Sequence, residues 1–276
     1  MLTDTQLKQA ITYIKQADGL LITAGAGMGV DSGLPDFRGN TGFWQAYPGL
    51  KSKYIQFTDI ANPAAFEETP ERAWGFYGHR LNLYRATEPH EGYRQLLKLG
   101  QSMANGYFVY TSNVDGQFQK SGFDPNKIVE CHGSIHHLQC NGTRCAAKGI
   151  WPADEITPIV DEQDCRLLSP VPTCPGCQRV IRPNILMFGD WSWNETRTDS
   201  QMNRYGQWRR SVTSPVIIEC GAGTAIPTIR SLGERLDAPL IRINTREAYA
   251  NKQNAVCLEG PAKEAIAAIV SGLAQL

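Results

Sequence analysis

The sequence predicts an α/β protein, a Rossmann-like doubly wound parallel sheet with a smaller inserted module. Short apolar runs alternate along the chain with stretches of helical periodicity, as strands and helices do in such a sheet. The first of these runs is followed at once by a glycine-rich loop, which is typical of a nucleotide-binding fold. A stretch rich in Cys and Pro, residues 138–182, interrupts the alternation and predicts the inserted module.

The bulk composition argues against several classes of protein. The 276 residues contain 27 Lys and Arg against 27 Asp and Glu, so no overall field favours nucleic acid or an anionic membrane. The N-terminus has no basic segment followed by an apolar run, and the apolar runs are too short to cross a bilayer. Eight cysteines without a secretory signal favour reduced thiols or a metal site over disulfides. We therefore expect a cytoplasmic protein without nucleic-acid or membrane partners.

The predicted elements follow one another in the order that this fold requires. Residues 3–17 carry apolar side chains at helical spacing behind a capping Thr3 or Asp4, and residues 19–23 predict a short buried strand. Further strands are predicted at 107–111, 216–220 and 239–243, and helices at 71–86, 90–104, 228–236 and 262–273. The chain then divides into a Rossmann-like domain of residues 1–137 and 183–276 and a module of residues 138–182. Part of 40–90 adds helices to that module.

The loop after the first strand carries glycines at positions 25, 27 and 29. Glycines let the backbone approach a pyrophosphate, whose charge suits amide N–H groups and a helix N-terminus. By itself the loop is a weak signal, because a tight turn explains it equally well. Val30 also stands where the pattern G-x-G-x-x-G has a glycine.

Two close cysteine pairs lie in the inserted module, Cys140 with Cys145 and Cys174 with Cys177. Four thiolates complete a tetrahedral zinc site and leave no coordination position for a substrate, so they predict a structural zinc ion. Cys165 is an alternative ligand, although it has no close partner in the sequence. The insert is therefore predicted to be a zinc-binding module.

The residues beyond the glycine loop carry a family resemblance. The segment GAGMGVDSGLPDFRG, residues 25–39, closely resembles the signature of the sirtuins, and Gly42-Phe43-Trp44 follows at the usual distance. The resemblance implies an NAD-dependent protein lysine deacylase. It implies that Phe37 caps the reactive face and that Arg38 supplies a planar cation for phosphate or for a ribose network. The NAD contacts implied in this segment are Gly25, Ala26, Gly27, Asp36, Phe37, Arg38 and Trp44.

Two later segments resemble the family's catalytic motifs. TSNVDG at 111–116 is similar to T-Q-N-I-D-G, which implies that Asn113 and Asp115 orient the nicotinamide end of NAD. Ser112 stands at the position of the family's glutamine, which contacts a ribose of NAD. ECHGS at 130–134 is similar to E-L-H-G-S and makes His132 the candidate general base, because imidazole titrates near the working pH. His136 and His137 are predicted to be surface or packing residues. The implied catalytic residues are His132, Asn113, Asp115 and Arg38.

The rest of the cofactor site is implied by segments near the C-terminus. Gly221-Ala222-Gly223 resembles the family's G-T-S, a contact to ribose and phosphate, but lacks both hydroxyl groups. Asn244 and Thr245 match the position that contacts the adenosine ribose, and Ala262 matches a last contact on the adenine side.

The acyl-lysine side is implied by RPNILMFGD at 182–190, which resembles R-P-x-V-V-x-F-G-E. In sirtuins this strand end receives the substrate backbone by β-strand addition, so Phe188 and Gly189 are expected substrate contacts. The segment that follows, Trp191-Ser192-Trp193, is expected to line the acyl pocket or to pack. Tyr77 and Arg80, three residues apart, match the Y-x-x-R of desuccinylase-type sirtuins, which pairs with an acyl carboxylate. The alternative is a Tyr and an Arg on an exposed helix surface.

The resemblance also implies a reaction on an acyl-lysine protein or peptide. The amide oxygen attacks the ribose carbon that bears nicotinamide, and His132 then activates a ribose hydroxyl group. Free lysine, nicotinamide and O-acyl-ADP-ribose result. Gly29, Ser112, Ala222 and Gly223 replace usual family residues, and these replacements leave two alternatives open. One is protein ADP-ribosylation or NAD hydrolysis in the same pocket, and the other is an NAD-binding module without catalysis.

Overall fold

The larger of two structural units is built on a parallel sheet. The computed structural model describes residues 3–36, 43–44, 47–52, 54–142, 145 and 149–275. Within this part of the chain, six parallel strands lie in the spatial order β11 (Ala255–Glu259), β10 (Leu240–Asn244), β9 (Pro215–Cys220), β1 (Gly19–Ala24), β2 (Tyr107–Thr111) and β3 (Ile128–Glu130). The strand order reverses between β1 and β9, which is the place where ligands bind in sheets of this kind.

Helices cover both faces of this sheet. Successive strand residues point to opposite faces, so Leu20 and Ile22 belong to one apolar cluster while Leu21 belongs to another. The first face is covered by α1 (Asp4–Lys15), α7 (Glu91–Ser102) and α11 (Ala262–Ala274), and the second by α9 (Thr196–Ser211) and α10 (Thr228–Arg235). Two short helices, α2 (Gly27–Val30) and α8 (Gln117–Lys120), follow β1 and β2 at the carboxyl edge.

The smaller unit combines two antiparallel sheets with helices from the first third of the chain. The strands β5 (Ile150–Pro152), β4 (Gly133–Cys140) and β8 (Ile181–Ile185) form one sheet in that order, and β6 (Val160–Asp161) pairs with β7 (Arg166–Leu167). The described helices of this unit include α3 (Pro48–Ser52), α4 (Phe57–Ile60), α5 (Ala65–Glu68) and α6 (Pro70–Ala86).

Aromatic side chains hold the smaller unit together. Phe66, Trp74 and Phe76 are fully buried in one cluster with apolar residues of β4 and β8. The indole N–H of Trp74 donates to the carbonyl of Ile181, at 2.8 Å, which ties α6 to the small sheet. A Cβ at Gly75 would lie 2.3 Å from the carbonyl oxygen of Cys165, so α6 and the β7 turn touch without an intervening side chain.

The predicted fold class is confirmed, and so are its main elements. The four predicted strands correspond to β1, β2, β9 and β10, and Thr3 caps α1 by accepting from the N–H of Gln6. Several elements escaped prediction, among them three of the larger unit. The strand β3 has only three residues, β11 alternates buried with half-buried residues as an edge strand does, and α9 buries Thr198, Gln201 and Tyr205 in place of an apolar stripe.

The strands of the small sheet extend beyond the predicted insert, since β4 begins at Gly133 and β8 ends at Ile185. The boundaries at 138 and 182 stay a prediction. Among the described residues, the helices lack the length and apolar character needed to cross a bilayer.

Candidate active site

A cavity of about 410 Å³ opens at the carboxyl edge of the parallel sheet, between the two units. It lies where the strand order reverses. The predicted site residues in its wall are Gly25, Ala26, Ser112, Asn113, Asp115, His132, Gly221, Ala222, Gly223, Tyr77, Arg80 and Phe188. Those outside its wall are Gly27, Asp36, Trp44, Gly189, Asn244, Thr245 and Ala262. Phe37 and Arg38 fall outside the described residues.

Two glycine loops meet in backbone contact beside this cavity. The N–H of Gly25 donates to the carbonyl of Cys220, and the N–H of Gly27 donates to the carbonyl of Gly221, each at 3.0 Å. A Cβ at Gly25 would lie 2.8 Å from the Cα of Ala222. A Cβ at Gly221, whose φ is +62°, would lie 2.3 Å from the amide nitrogen of Met28. Where these two loops line the cavity, at Gly25, Ala26 and Gly221 to Gly223, no side chain is larger than a methyl group, so a dinucleotide pyrophosphate could approach the backbone closely.

The loop after β2 presents Asn113 and Asp115 to the same cavity. The side-chain N–H of Asn113 donates to the carbonyl of Gly25, at 3.0 Å, and so links this loop to the glycine loop. The carboxyl group of Asp115 accepts from the N–H of Gln117, at 2.9 Å. Burial raises the pKa of Asp115 to about 6, so the carboxylate, an acceptor only, predominates above that pH.

His132 joins β3 to β4 and lines the cavity with a half-buried ring. Burial lowers the pKa of His132, which favours a neutral imidazole at physiological pH. Its Nε2 lies 3.5 Å from the hydroxyl group of Thr228, in the first turn of α10. Behind it, α9 anchors β3, since Arg197 pairs with Glu130 and the side chain of Gln201 accepts from the N–H of Glu130. A neutral and anchored imidazole suits a general base.

Tyr77 and Arg80 are buried in the cavity wall. Tyr77 is 1% exposed and Arg80 is 8% exposed, so the alternative of an exposed helix surface is wrong. Nε and Nη2 of Arg80 donate to the hydroxyl oxygen of Tyr84, at 2.9 and 2.5 Å. The guanidinium carbon lies 5.2 Å from the ring centroid of Phe76. The wall on this side therefore holds a cation among aromatic rings. Tyr84 was missed in the sequence, although its spacing of four residues from Arg80 on a predicted helix is the signal for such a contact.

The loop that follows β8 forms the rim of the cavity. A fully buried ion pair between Arg182 and Asp190, at 2.9 Å, lies behind this loop, and Asp190 also accepts from the N–H of Met187. Phe188 donates its N–H to the carbonyl of Ala61 and leaves 42% of its side chain exposed. Trp191 is fully exposed, so the prediction that it packs or lines the pocket is wrong, whereas Trp193 is half-buried and lies outside the cavity wall, as the packing alternative requires.

The four predicted metal ligands form one cluster. The sulfur atoms of Cys140, Cys145, Cys174 and Cys177 all lie within 4.8 Å of one another. Two of the separations, Cys140 to Cys177 and Cys145 to Cys174, are 3.5 Å. Thiolates at tetrahedral positions about 2.3 Å from one zinc ion are roughly 3.8 Å apart, so the cluster fits zinc. Cys165 is not a member of this cluster of described residues.

The predicted adenosine side is organised by Asn244. Its side-chain N–H donates to the carbonyl of Ala222, at 2.9 Å, and its side-chain oxygen accepts from the N–H of Glu247. Arg230, from α10, donates to the carbonyls of Ala222 and Glu247. Sequence reasoning missed Arg230 because a lone arginine in a helical stretch carries no local signal of a buried role.

Comparison with known proteins identifies relatives of this chain. The model of the Sir2 family matches residues 25–207. An NAD-dependent protein deacylase of Aeropyrum pernix is 30% identical over 80% of this chain and 78% of its own length. NAD-dependent protein deacylase 1 of Pseudomonas aeruginosa is 27% identical over 94% of this chain and 96% of its own length.

Solved structures share the fold. A Sir2 homologue in complex with NAD aligns with a TM-score of 0.71 at 21% identity, over 97% of this chain and 94% of its own. A mutant Sir2 homologue in complex with ADP-ribose aligns with a TM-score of 0.69 at 21% identity, over 99% of this chain and 97% of its own. At these identities the likeness shows the fold alone.

Proposed function

The chain belongs to the Sir2 family, and from that premise we propose that it is an NAD-dependent protein lysine deacylase. One observation carries the proposal. The two glycine loops, the pair Asn113 and Asp115, and His132 line the same cavity as Tyr77, Arg80 and Phe188. A cofactor and an acyl-lysine side chain would therefore meet beside His132.

The residues of this chain have distinct parts in the proposed reaction. When bound, NAD supplies the ribose carbon that accepts the acyl oxygen as nicotinamide leaves. Asn113 and Asp115 orient the nicotinamide end, which fits the contact of Asn113 with Gly25 and the place of Asp115 in the cavity wall. His132 takes a proton from a ribose hydroxyl group, which fits the neutral imidazole that its lowered pKa favours. The zinc ion, held by the four cysteines, stabilises the smaller unit and takes no part in the chemistry.

We further propose that the preferred acyl group carries a carboxylate. Arg80 is an almost fully buried cation in the cavity wall, and Tyr77 lies beside it on the same helix. A guanidinium and a phenol match the geometry of a carboxylate, whereas an acetyl group would leave this cation without an anionic ligand from the substrate. Succinyl- and malonyl-lysine are the expected substrates, with acetyl-lysine used less well.

A panel of acyl-lysine peptides tests the proposal. The protein is incubated with NAD and with the same peptide carrying acetyl-, malonyl-, succinyl- or longer acyl-lysine, and all products are identified by mass spectrometry. We expect free lysine, nicotinamide and O-acyl-ADP-ribose, formed fastest from the succinyl and malonyl peptides.

The same products decide between the alternatives. ADP-ribose added to protein, or nicotinamide and free ADP-ribose without loss of the acyl group, would contradict deacylation and identify transfer or hydrolysis. Tight NAD binding without any nicotinamide release would identify a binding module. The His132→Ala variant is the control for contaminating activity. A cytoplasmic location and a protein as the natural substrate are parts of the same proposal.

A further inference from the structure

The strand β4 is interrupted at the point where it passes the cavity. Ser134 pairs with Asn184 of β8, but the next residue of β8, Pro183, pairs with Leu138. The intervening residues 135–137 have no counterpart on β8 and form a bulge. Bulges bend a strand and re-aim its side chains, and they are frequent beside active sites.

This bulge holds the loop that carries Asn113 and Asp115. The N–H of Ile135 donates to the carbonyl of Val114, at 3.0 Å. Nε2 of His136 lies 2.9 Å from the carbonyl oxygen of Asp115. A carbonyl oxygen only accepts, so Nε2 of His136 carries the proton in this contact. Two successive carbonyls of the loop are therefore held by two successive residues of the bulge.

Without the contact from His136 to the carbonyl of Asp115, the peptide group between Asp115 and Gly116 could take up either of two orientations. Gly116 has a φ of +72°, and glycine adopts either sign of φ at little cost. In a planar trans peptide the C=O and N–H bonds point in opposite directions, so fixing the carbonyl of Asp115 also fixes the N–H of Gly116. The ring of His136 adds a steric limit, because a Cβ at Gly116 would lie 2.7 Å from its Cδ2.

We propose that His136 is a positioning residue of the NAD site, which fixes the Asp115–Gly116 peptide and with it the carboxyl group of Asp115 at the nicotinamide end. This inference rests on the proposed function, because that function places nicotinamide beside Asp115. His136 acts through Asp115 and is not a second general base. Both the neutral Nε2–H form and the imidazolium donate from Nε2, so this contact persists when the ring titrates.

Paired binding measurements test the inference. Dissociation constants for NAD and for ADP-ribose, which lacks the nicotinamide, are measured by calorimetry for the wild type and for His136→Leu and His136→Gln. Because one hydrogen bond is lost, we expect His136→Leu to weaken NAD binding about fivefold to tenfold and to leave ADP-ribose binding within about twofold. His136→Gln retains an N–H donor of similar reach and should recover most of the NAD affinity. In turnover, His136→Leu should lower kcat for the acyl peptide and leave its KM unchanged.

His137→Leu is the matched control, since it removes an imidazole from the same bulge, beside Arg197 and Glu130. Its ratio of NAD affinity to ADP-ribose affinity should equal that of the wild type. If His136→Leu does not fold, His136→Asn replaces it, because the shorter amide cannot reach the Asp115 carbonyl. Equal NAD affinity for the Gln and the Leu or Asn variants, or equal weakening of both ligands, would overturn the inference. A wild type that binds neither ligand, or binds NAD without turning over any acyl peptide, would instead refute the proposed function.

Discussion

The two sides of the cavity are built in different ways. On the proposed cofactor side the wall includes Gly25, Ala26 and Gly221 to Gly223, and the loops touch through their backbones. On the proposed acyl side it includes large side chains on α6, with Arg80 held by the hydroxyl group of Tyr84. Recognition through backbone N–H groups survives the loss of individual side chains, whereas recognition through a buried guanidinium depends on that one side chain.

This difference explains why the replacements at Ala222 and Gly223 are compatible with the proposed function. At Ala222 and Gly223 the family's hydroxyl groups are missing, but the loop remains fixed by Asn244 and Arg230, which both donate to the carbonyl of Ala222. The comparison therefore predicts small effects for substitutions that add or remove polar atoms on the cofactor side. It predicts large effects for substitutions that remove the supports of the acyl side.

Loss of the metal should have the largest effect. Removal of zinc with a chelator, or Cys174→Ser, should unfold the smaller unit, because structural zinc sites contribute on the order of 10 kcal/mol to folding. We expect deacylation to be lost while the parallel sheet keeps its secondary structure. Metal content by mass spectrometry and calorimetric melting check this prediction. Cys165→Ser, outside the cluster, is the control and should retain one zinc ion. Full activity in zinc-free protein would show that the acyl side does not depend on the cluster.

His132→Ala should lower kcat about a thousandfold, the range expected for loss of a general base. ADP-ribose binding should remain, since the glycine loops are unchanged. In the wild type, burial lowers the pKa of His132, so the imidazole stays neutral to a lower pH than a free imidazole does. The midpoint of the acidic limb in a plot of kcat against pH should therefore lie below the ordinary imidazole pKa. Steady-state rates from pH 5 to 9 provide the measurement. Turnover by the alanine variant at the wild-type rate would exclude His132 as the base.

Asp115→Asn should stabilise the protein at high pH. Burial raises the pKa of Asp115 to about 6, above its value in the unfolded chain, so its stabilising contribution is full below pH 4 and is lost as the pH rises through 6. The amide does not titrate and keeps the acceptor for the N–H of Gln117. We expect the variant to be more stable than the wild type by up to about 3 kcal/mol at pH 8, with the gap closing towards pH 4. Urea denaturation across this range measures the gap, and a gap that is independent of pH would contradict the raised pKa.

Arg80→Met should change acyl preference. Loss of a charged hydrogen bond in a buried site corresponds to a decrease of about tenfold to a hundredfold in kcat/KM for succinyl-lysine. The value for acetyl-lysine should change by less than about threefold, because methionine preserves most of the apolar contact. Tyr84→Phe removes only the hydroxyl group that holds Arg80 and should give an intermediate decrease. An unchanged ratio of the two kcat/KM values would mean that Arg80 does not meet the acyl group.

Gly29→Ser should have the smallest effect. A Cβ at this position would lie 3.0 Å from Cδ1 of Leu34, a contact that a small movement of the leucine relieves. We expect NAD affinity to change by no more than about threefold, because one added hydroxyl group contributes about one hydrogen bond. Calorimetric titration with NAD measures the change. A hundredfold gain would show that side-chain hydroxyl groups, not the backbone, dominate the cofactor side.

Part of this molecule was predictable from the sequence because the relevant signals are local. Buried strands such as β1 and β9 appear as continuous apolar runs, and the cysteine pairs carry metal-ligand spacing that the cluster confirms. The resemblance to the sirtuins implied that the glycine loops, Asn113, Asp115 and His132 share one site, and these residues line one cavity. The roles of the predicted site residues remain predictions.

The rest depended on contacts between distant segments. The rings around Arg80 lie on the same helix, so their proximity follows from helical spacing, but the burial of Arg80 does not, because it depends on how α6 packs in the smaller unit. His136 was expected to be a surface or packing residue, and its contact with Asp115 arises from a bulge that strand periodicity does not reveal. Arg242 and Glu219 form a fully buried ion pair, and nothing near either residue in the sequence indicates this pairing.

The strand order also has a consequence for synthesis on the ribosome. The neighbours of β1 are β2 and β9, and β9 is translated only after the whole smaller unit. Until then one edge of β1 lacks its partner, and an unpaired apolar strand edge invites aggregation. The smaller unit can form its own sheet and collect its four cysteines during this interval. We therefore expect nascent chains that end before Pro215 to be held by chaperones, and zinc supply to influence the yield of protein before it influences the activity.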